Sequence, residues 1–384
     1  MSERIVGILV NDEMLKGIPR GRTGHENISF YEECAAEYGL KPAYFRLSDI
    51  SMRREQVRAL VKEGAEYRFR SLPLPKVIHN RAMFRNYMKA DRKLEALCAL
   101  KGTIVFNRWN RYGKWHVHQL LKKNRLLRPH LPETKQASEH SINKLFRKHG
   151  AIIVKPNSSS IGRGIMKIER EEDHNTFTYP SSSRKSVLQW KTVRYKGKLP
   201  AALLRSIKKK PYLAQQRLNL ATYGGRPFDM RVSVQRGMKG TWQVTGIAAK
   251  VAGKNVFVTN VAQGGTVLRL AEALRDHPHL NPAAVQQSIE KFALAAAEHL
   301  SGYIPFLSDV GFDIGVTPEG FPVFIEMNLR DQRYAFCEGG MMEQWKKTYA
   351  NPLAYAKYLL DSQSLIRKDT EGRRLKAAKL AYSL

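Results

Sequence analysis

The run GFDIGVTPEGFPVFIEMN, residues 311–328, constrains the fold more than any other part of the chain. Two apolar stretches flank Thr317–Gly320, where Pro318 and Gly320 favour a turn, so the run predicts two antiparallel strands. Asp313 and Glu326 then fall on neighbouring strands. Glu326 and Asn328, two apart on one strand, point to the same face. Three oxygen-bearing side chains are thus expected at one end of a pocket. Carboxylates brought together without a cation raise each other's pKa or cost stability. Two arrangements relieve this: Mg2+, which favours carboxylate, carbonyl and phosphate oxygens, or pairing of Asp313 or Glu326 with Arg330 or another base. Both stay open at this level.

A second run, IIVKPNSSSIGRG, places Lys155 at the end of a buried strand, where its ammonium can reach phosphates while its stem crosses apolar surface. Ser158, Ser159, Ser160, Gly162 and Gly164 follow as a small adaptable loop whose N–H groups can face phosphate oxygens. The spacing is neither that of the P-loop nor that of the dinucleotide fingerprint, and an ordinary surface loop reads the same way. A phosphate-binding lysine and metal-binding acids together point to nucleotide–Mg2+ chemistry. Kinases, nucleotidyltransferases and ligases share that requirement.

Before these runs, RIVGILV and PAYFRL read as strands around the helix ISFYEECAAEYG, which Gly39 stops. A polar helix is expected from Ser51 to about Lys62. LPLPKVIHN is extended and GTIVFN is a strand, giving an α/β unit through about Asn110. Lys114 to Gly150 is mainly helical with a break near PHLPET. AIIVKP and GIMKIERE are strands, PSSSRKS an exposed turn and LPAALLRSIKKK a helix. YLAQQRLNL, FDMRVSVQR, WQVTGIAAKVAG and VFVTNV are β-rich, and Pro282–Leu300 is a long helix.

At 384 residues and 43% apolar content the chain can bury a large core in two or three domains. Its net charge of +31 attracts nucleic acid, anionic membranes, acidic polymers or nucleotides without choosing among them. A solvated basic surface is the plain reading, since no finger, homeodomain or basic zipper accompanies the charge. Three widely spaced cysteines form no metal cluster and suit a reducing compartment. No run approaches the roughly 18 apolar residues of a membrane span, and the start carries no credible cleavage site. A cytoplasmic protein is expected. His79, His116, His118 and His130 lack zinc spacing, Trp109 and Trp115 read as packing residues, and no serine sits in a nucleophile motif.

In their order, FNRWNRYGKWHVHQLL, LPET, AIIVKPNSSSIGRGI, FDMRVSVQR, VTNVAQGG and GFDIGVTPEGFPVFIEMN resemble the ATP-grasp superfamily, and within it the YheC/YheD family described as endospore coat-associated. The likeness runs from about Phe106 to Met342, and the segment before it resembles the domain preceding that unit in the family. It implies an α/β and α+β chain, an ATP-grasp fold with a preceding α/β domain. The division is 1–110, 111–214, 215–350 and a basic tail 351–384, with ATP between the two middle subdomains.

In that resemblance Lys114 matches an early nucleotide-binding lysine and Lys155 the strand-end lysine on the phosphates. Ser158–Gly164 matches the glycine-rich cover. Gln215, Gln216, Arg217 and Leu218 match the hinge strand against adenine. Asp313, Glu326 and Asn328 match Mg2+ ligands. Arg231 matches a basic residue near phosphate or substrate carboxylate; with Lys155 and Arg330 it completes the expected catalytic set. Two departures stand out: QQRLNLATYGG lacks the acidic residues that many relatives place near ribose, and LRDQRYAF lacks the Pro–Gly of many carboxylate–amine ligases. Asn260, Gly264 and Gly265 shape an acceptor pocket or form a surface turn.

The resemblance implies an ATP- and Mg2+-dependent ligase that activates a carboxylate as an acylphosphate for attack by an amine or similar nucleophile. The expected substrate is an acidic peptide or envelope precursor, with association at the spore coat. The alternatives are a catalytically weak nucleotide-binding scaffold of the coat and, less favoured, a nucleic-acid-binding protein.

Overall fold

The computed structural model describes residues 4–84, 87–99, 103–109, 112–159, 162–181, 189–254, 258–259 and 264–362. Ser160, Asn260, most of the Ser-rich turn, most of VFVTNV and the basic stretch after 362 lie outside what is described.

Three sheets follow one another along the chain. The first contains β1 (Arg4–Leu9), β2 (Leu40–Phe45), β3 (Ile50–Ser51), β4 (Gln56–Glu63), β5 (Glu66–Pro73), β6 (Val77–Asn80) and β7 (Ile104–Phe106), in the order β3-β4-β2-β1-β6-β7 with β5 on β4. Its centre is parallel, with β1 between β2 and β6. Helices α1 (Asp12–Gly17), α2 (Ile28–Glu37) and α3 (Tyr87–Ala99) belong to this unit. Its strands read as near-continuous apolar runs because both faces are covered. Val6, Ile8 and Tyr44 pack toward α2, while Leu9, Phe45 and Ile78 share a second cluster with Leu94 and Leu97 of α3.

The helix expected over Ser51–Lys62 is instead β3, a turn and β4. The period is two: Val57, Ala59 and Val61 are buried while Gln56, Arg58 and Lys62 are exposed. Gly64, with φ of 60°, then closes a tight hairpin into β5, pairing Glu63 with Glu66. The charged residues that suggested a helix form the preceding turn.

Helix α4 (Lys114–Lys122) leads to the second sheet, made of β8 (Thr134–Gln136), β9 (Ala151–Pro156), β10 (Met166–Arg170), β11 (Asn175–Ser181), β12 (Gln189–Tyr195) and β13 (Tyr212–Gln216). Its order is β12-β11-β10-β9-β13-β8, antiparallel throughout. Helices α5 (Glu139–His149) and α6 (Ala201–Lys209) cover one face, where Ile152, Val154 and Ala214 meet Leu145 and Leu203. Lys155 therefore points to the opposite face. The boundary expected at 214/215 falls inside β13, because Tyr212–Gln216 pairs along β9 without interruption.

The third sheet holds β14 (Thr222–Tyr223), β15 (Arg226–Arg236), β16 (Trp242–Val251), β17 (Thr266–Leu268), β18 (Asp309–Val316) and β19 (Pro322–Asn328). Its order is β17-β16-β15-β18-β19 with β14 on β15. Alternation in FDMRVSVQR sorts the side chains: Phe228, Met230, Val232 and Val234 enter the core with α8 (Pro282–Ser301), which follows the short α7 (Leu270–Ala273). Asp229, Arg231, Ser233 and Gln235 take the other face. The expected turn at Thr317–Gly320 is present, closed by Gly320 N–H to Thr317 O, with Gly320 at φ of 84°.

After α9 (Tyr334–Glu338), helix α10 (Met342–Asp361) returns to the first sheet. Tyr349, Leu353, Tyr355 and Leu359 join the cluster of Val6, Ile8 and Tyr31. The expected boundary at 350/351 cuts this helix, whose apolar face is core rather than tail. A buried polar joint also ties the first sheet to the third. Arg81, 1% exposed, reaches Asp309 at 3.3 Å, Glu26 at 2.5 Å and the Asp331 carbonyl at 2.9 Å, and Arg333 donates to Asp309 at 2.8 Å.

Candidate functional site

The polar face of the third sheet looks toward Lys155 of the second. Register sets Arg231 beside Asp313 and Asp313 beside Glu326, with an irregularity just after Asp313. Arg231 Nε donates to Asp313 Oδ1 at 2.9 Å, and Lys250 Nζ lies 2.9 Å from both Asp313 Oδ1 and Asp229 Oδ1. Lys114, the first residue of α4, lies 3.0 Å from Glu326 and donates to the Ser159 carbonyl at 2.8 Å. Lys155 donates to the Ile325 carbonyl at 3.2 Å, so it bridges the two sheets. Asn157 fixes α4 at this spot: its carbonyl takes the Lys114 N–H, and its side-chain oxygen takes the Trp115 N–H at 2.9 Å.

Two adjoining cavities of about 100 and 330 Å³ result. Lys114, Lys155, Arg231, Lys250, Asp313, Glu326, Asn328 and Gly162 line the smaller. Its wall thus carries four cations against two carboxylates, an excess that suits a polyanion. The larger is lined by Lys114, Lys155, Ser158, Ser159, Thr134, Leu213, Gln215, Phe324, Met327 and Arg330, a slot of mixed polar and apolar walls continuing from the charged end.

Burial pushes the Lys155 ammonium down to about 8, against the pull of Glu326. Burial alone would raise the Asp313 carboxyl, but Arg231 and Lys250 hold it well below the usual range. Asp229, deeper, is pushed up to about 6 by burial, Lys250 opposing and the Asp313 charge adding.

The sequence expectations divide accordingly. Lys114, Lys155, Ser159, Arg231, Asp313, Glu326 and Asn328 come together. Both arrangements left open for the acids leave a trace: the oxygens converge, and they are ion-paired, although with Lys114, Arg231 and Lys250 rather than with Arg330. Arg330 lines only the larger cavity and lies 3.4 Å from Glu26. Gly164 packs outside the cavities, against Pro156 and Tyr212. Gln215 donates to Thr134 at 2.8 Å within the cavity wall. Gln216 instead accepts from the Glu133 N–H and Arg217 pairs with Glu169, away from it, while Leu218 is half-buried outside the lining.

Lys250 and His118 are site residues that sequence reasoning passed over. Alternation along IAAKVAG was the available signal for Lys250, since Ala249 and Val251 enter the core. For His118 the signal was its position one turn after Lys114, on the same helix face. His118 is 6% exposed, its Nδ1 is buried without a hydrogen-bond partner among the described residues, and burial and Lys155 push it down to about 4, a neutral imidazole.

The donor set fits Mg2+, which takes one or two carboxylates and completes its shell with phosphate and water oxygens. Asp313, Glu326 and Asn328 offer such oxygens beside cations placed for phosphate. Among the described residues no group of three or more His, Cys, Asp and Glu could hold a metal. Among those residues, too, no helix is long and apolar enough to cross a membrane.

Residues 102–359 match the family model described as YheC/D like ATP-grasp. The endospore coat-associated protein YheD of Bacillus subtilis (strain 168) is 29% identical over 309 residues, taking in 75% of this chain and 64% of YheD. The chain thus spans less than two-thirds of that relative. YheC of the same organism, also named endospore coat-associated, is 24% identical over 336 residues, covering 86% of this chain and 91% of YheC. A solved structure of the ATP-grasp ligase PsnB with a phosphomimetic variant of its minimal precursor, Mg and ADP superposes with a TM-score of 0.50 at 14% identity. It covers 93% of this chain and 98% of that one, a likeness of fold.

Proposed function

The chain belongs to the YheC/D-like ATP-grasp family, and from that premise we propose that it is an ATP- and Mg2+-dependent ligase-type enzyme. In this reading a substrate carboxylate oxygen attacks the γ-phosphorus of ATP and the bond to ADP breaks. An amine or similar nucleophile then displaces phosphate from the acylphosphate. The observation that carries the reading is the convergence of four cations on two cross-strand carboxylates, in a cleft between two sheets.

Lys155 and Lys114 offset the charge of the phosphates, and Arg231 and Lys250 that of an approaching carboxylate. Arg330, further along the cleft, positions the acid or the nucleophile. Asp313, Glu326 and Asn328 would hold Mg2+, which when bound neutralises charge on the transferring group. Glu326 would then exchange Lys114 for the metal, leaving that lysine to the phosphates. Ser158, Ser159 and Gly162, which line the cavities, would cover the reacting group and exclude water from an intermediate that hydrolyses readily. Leu213, Phe324 and Met327 give the slot apolar walls for a base, and Gln215 a polar edge.

A coat-associated scaffold that binds nucleotide with little turnover is the second reading. It is favoured by the relatives' names and by ion pairs that already satisfy Asp313 and Glu326. The test incubates the protein with ATP–Mg2+ and pools of acids and amines, and detects products by mass. Acid-dependent ADP release, lost in Lys155→Ala and Glu326→Ala, is the expected result; ATP binding without any release refutes the enzyme and leaves the scaffold.

A further inference from the structure

We propose that the second sheet carries, from its open edge at β12 across to the C-terminal end of α6, which leads into β13, a docking surface for an acidic polypeptide in extended conformation. Between Asp173 and Asp229 the chain runs for 55 residues without a carboxylate while carrying 12 Lys and Arg. Lys191 and Arg194 on β12, Lys196 just after it and Lys208–Lys210 at the end of α6 are all exposed. None of the six is in an ion pair among the described residues.

Ordinary causes explain part of this. Cations at a helix C-terminus answer the helix dipole, and lysine on an edge strand discourages aggregation. Neither requires carboxylates to be absent over such a length, and a merely solvated surface intersperses both signs. A single-sign patch steers and holds an anionic partner.

Two observations select a polypeptide among polyanions. Among the described residues β12 pairs with β11 alone, so its outer backbone groups are open to another strand, which only a peptide backbone can complete. The aromatic side chains of β12, Trp190 and Tyr195, are half-buried with their polar atoms inside, which makes a poor platform for stacking bases. A Cβ built on Gly164, in the loop after Lys155, would stand 3.8 Å from Lys210 Nζ, so the end of α6 lies beside that loop. Docking itself needs no nucleotide and goes beyond the proposed reaction.

The experiment is fluorescence anisotropy of a labelled oligoglutamate with the full chain, without nucleotide, at about 0.15 M salt. Saturable binding is expected, weakened by about tenfold or more in Lys208→Glu/Lys209→Glu/Lys210→Glu and also in Lys191→Glu/Arg194→Glu. Arg53→Glu/Arg54→Glu/Lys62→Glu, on the first sheet, should change it by less than about twofold. Unchanged melting temperatures show that the variants fold. Equal loss in the first-sheet variant overturns the proposal. So does equally tight binding of polyacrylate of matched charge, of double-stranded DNA or of phosphatidylglycerol vesicles. Absence of ATP binding by the same protein would count against the proposed reaction and leave this result standing.

Discussion

Burial lowers the proton affinity of Lys155, and a phosphate placed against it restores that affinity. Nucleotide affinity should therefore be full below about 8 and decline above it. Binding at about pH 8–9 should take up a proton, seen as a calorimetric heat that varies with the buffer's ionisation enthalpy. Lys155→Arg, which stays charged, should abolish the uptake. His118 makes a second residue-scale case. An imidazole buried with an unpartnered Nδ1 costs stability unless something bonds it, and the cavity it lines is where a nucleotide would do so. His118→Ala should weaken ATP binding by up to about tenfold in the same calorimetry; unchanged affinity would mean that the ring meets only water. Lys155, Asp313 and Glu326 were legible because each stands in a short run whose own pattern fixes its direction. Lys250 was not, because its partner Asp313 lies 63 positions away and nothing local announces the contact.

At the scale of elements, the β18–β19 hairpin was legible except for its irregularity after Asp313: two apolar runs, a turn with Pro318 and Gly320, and Glu326 and Asn328 two apart all agree. The β4–β5 hairpin was missed: charged residues in the turn before β4 mimic the polar face of a helix, only tertiary burial shows the period of two, and most of β5 drew no expectation at all. In β18 the close neighbour is specific. A Cβ on Gly311 would stand 2.3 Å from Asp331 Oδ1 and 3.3 Å from Arg231 Cδ. Asp331 is fully buried and accepts from Ser233 and Arg231, so it has nowhere cheap to go. Gly311→Ala should lose about 1–3 kcal/mol in urea unfolding. It should also disturb the Arg231–Asp313 pair, lowering nucleotide affinity more than a comparable loss of stability elsewhere.

Over the whole molecule, the joint around Asp309 makes stability depend on pH. Burial pushes the His79 imidazole down from 6.5 to about 4, so between those values the unfolded chain binds a proton that the folded chain refuses. Stability from this site is full above 6.5 and falls as pH drops toward 4; Asp309, held low by Arg333 and Arg81 against its burial, extends the loss further into acid. Urea midpoints measured against pH should show this slope, flattened in His79→Gln. The long-range closure by α10 was invisible in sequence, where residues after 350 read as a basic tail. Ending the chain before Met342 removes Tyr349, Leu353, Tyr355 and Leu359 from the first sheet's core. At about 1.5–3 kcal/mol for each side chain, that loss rivals the whole stability of a typical domain, and cooperative unfolding should disappear. This closure also orders events at the ribosome. The helix that shields the apolar side of Arg4–Leu9 emerges hundreds of codons after that strand, so a nascent chain must carry a greasy, unsealed surface while everything between them is made.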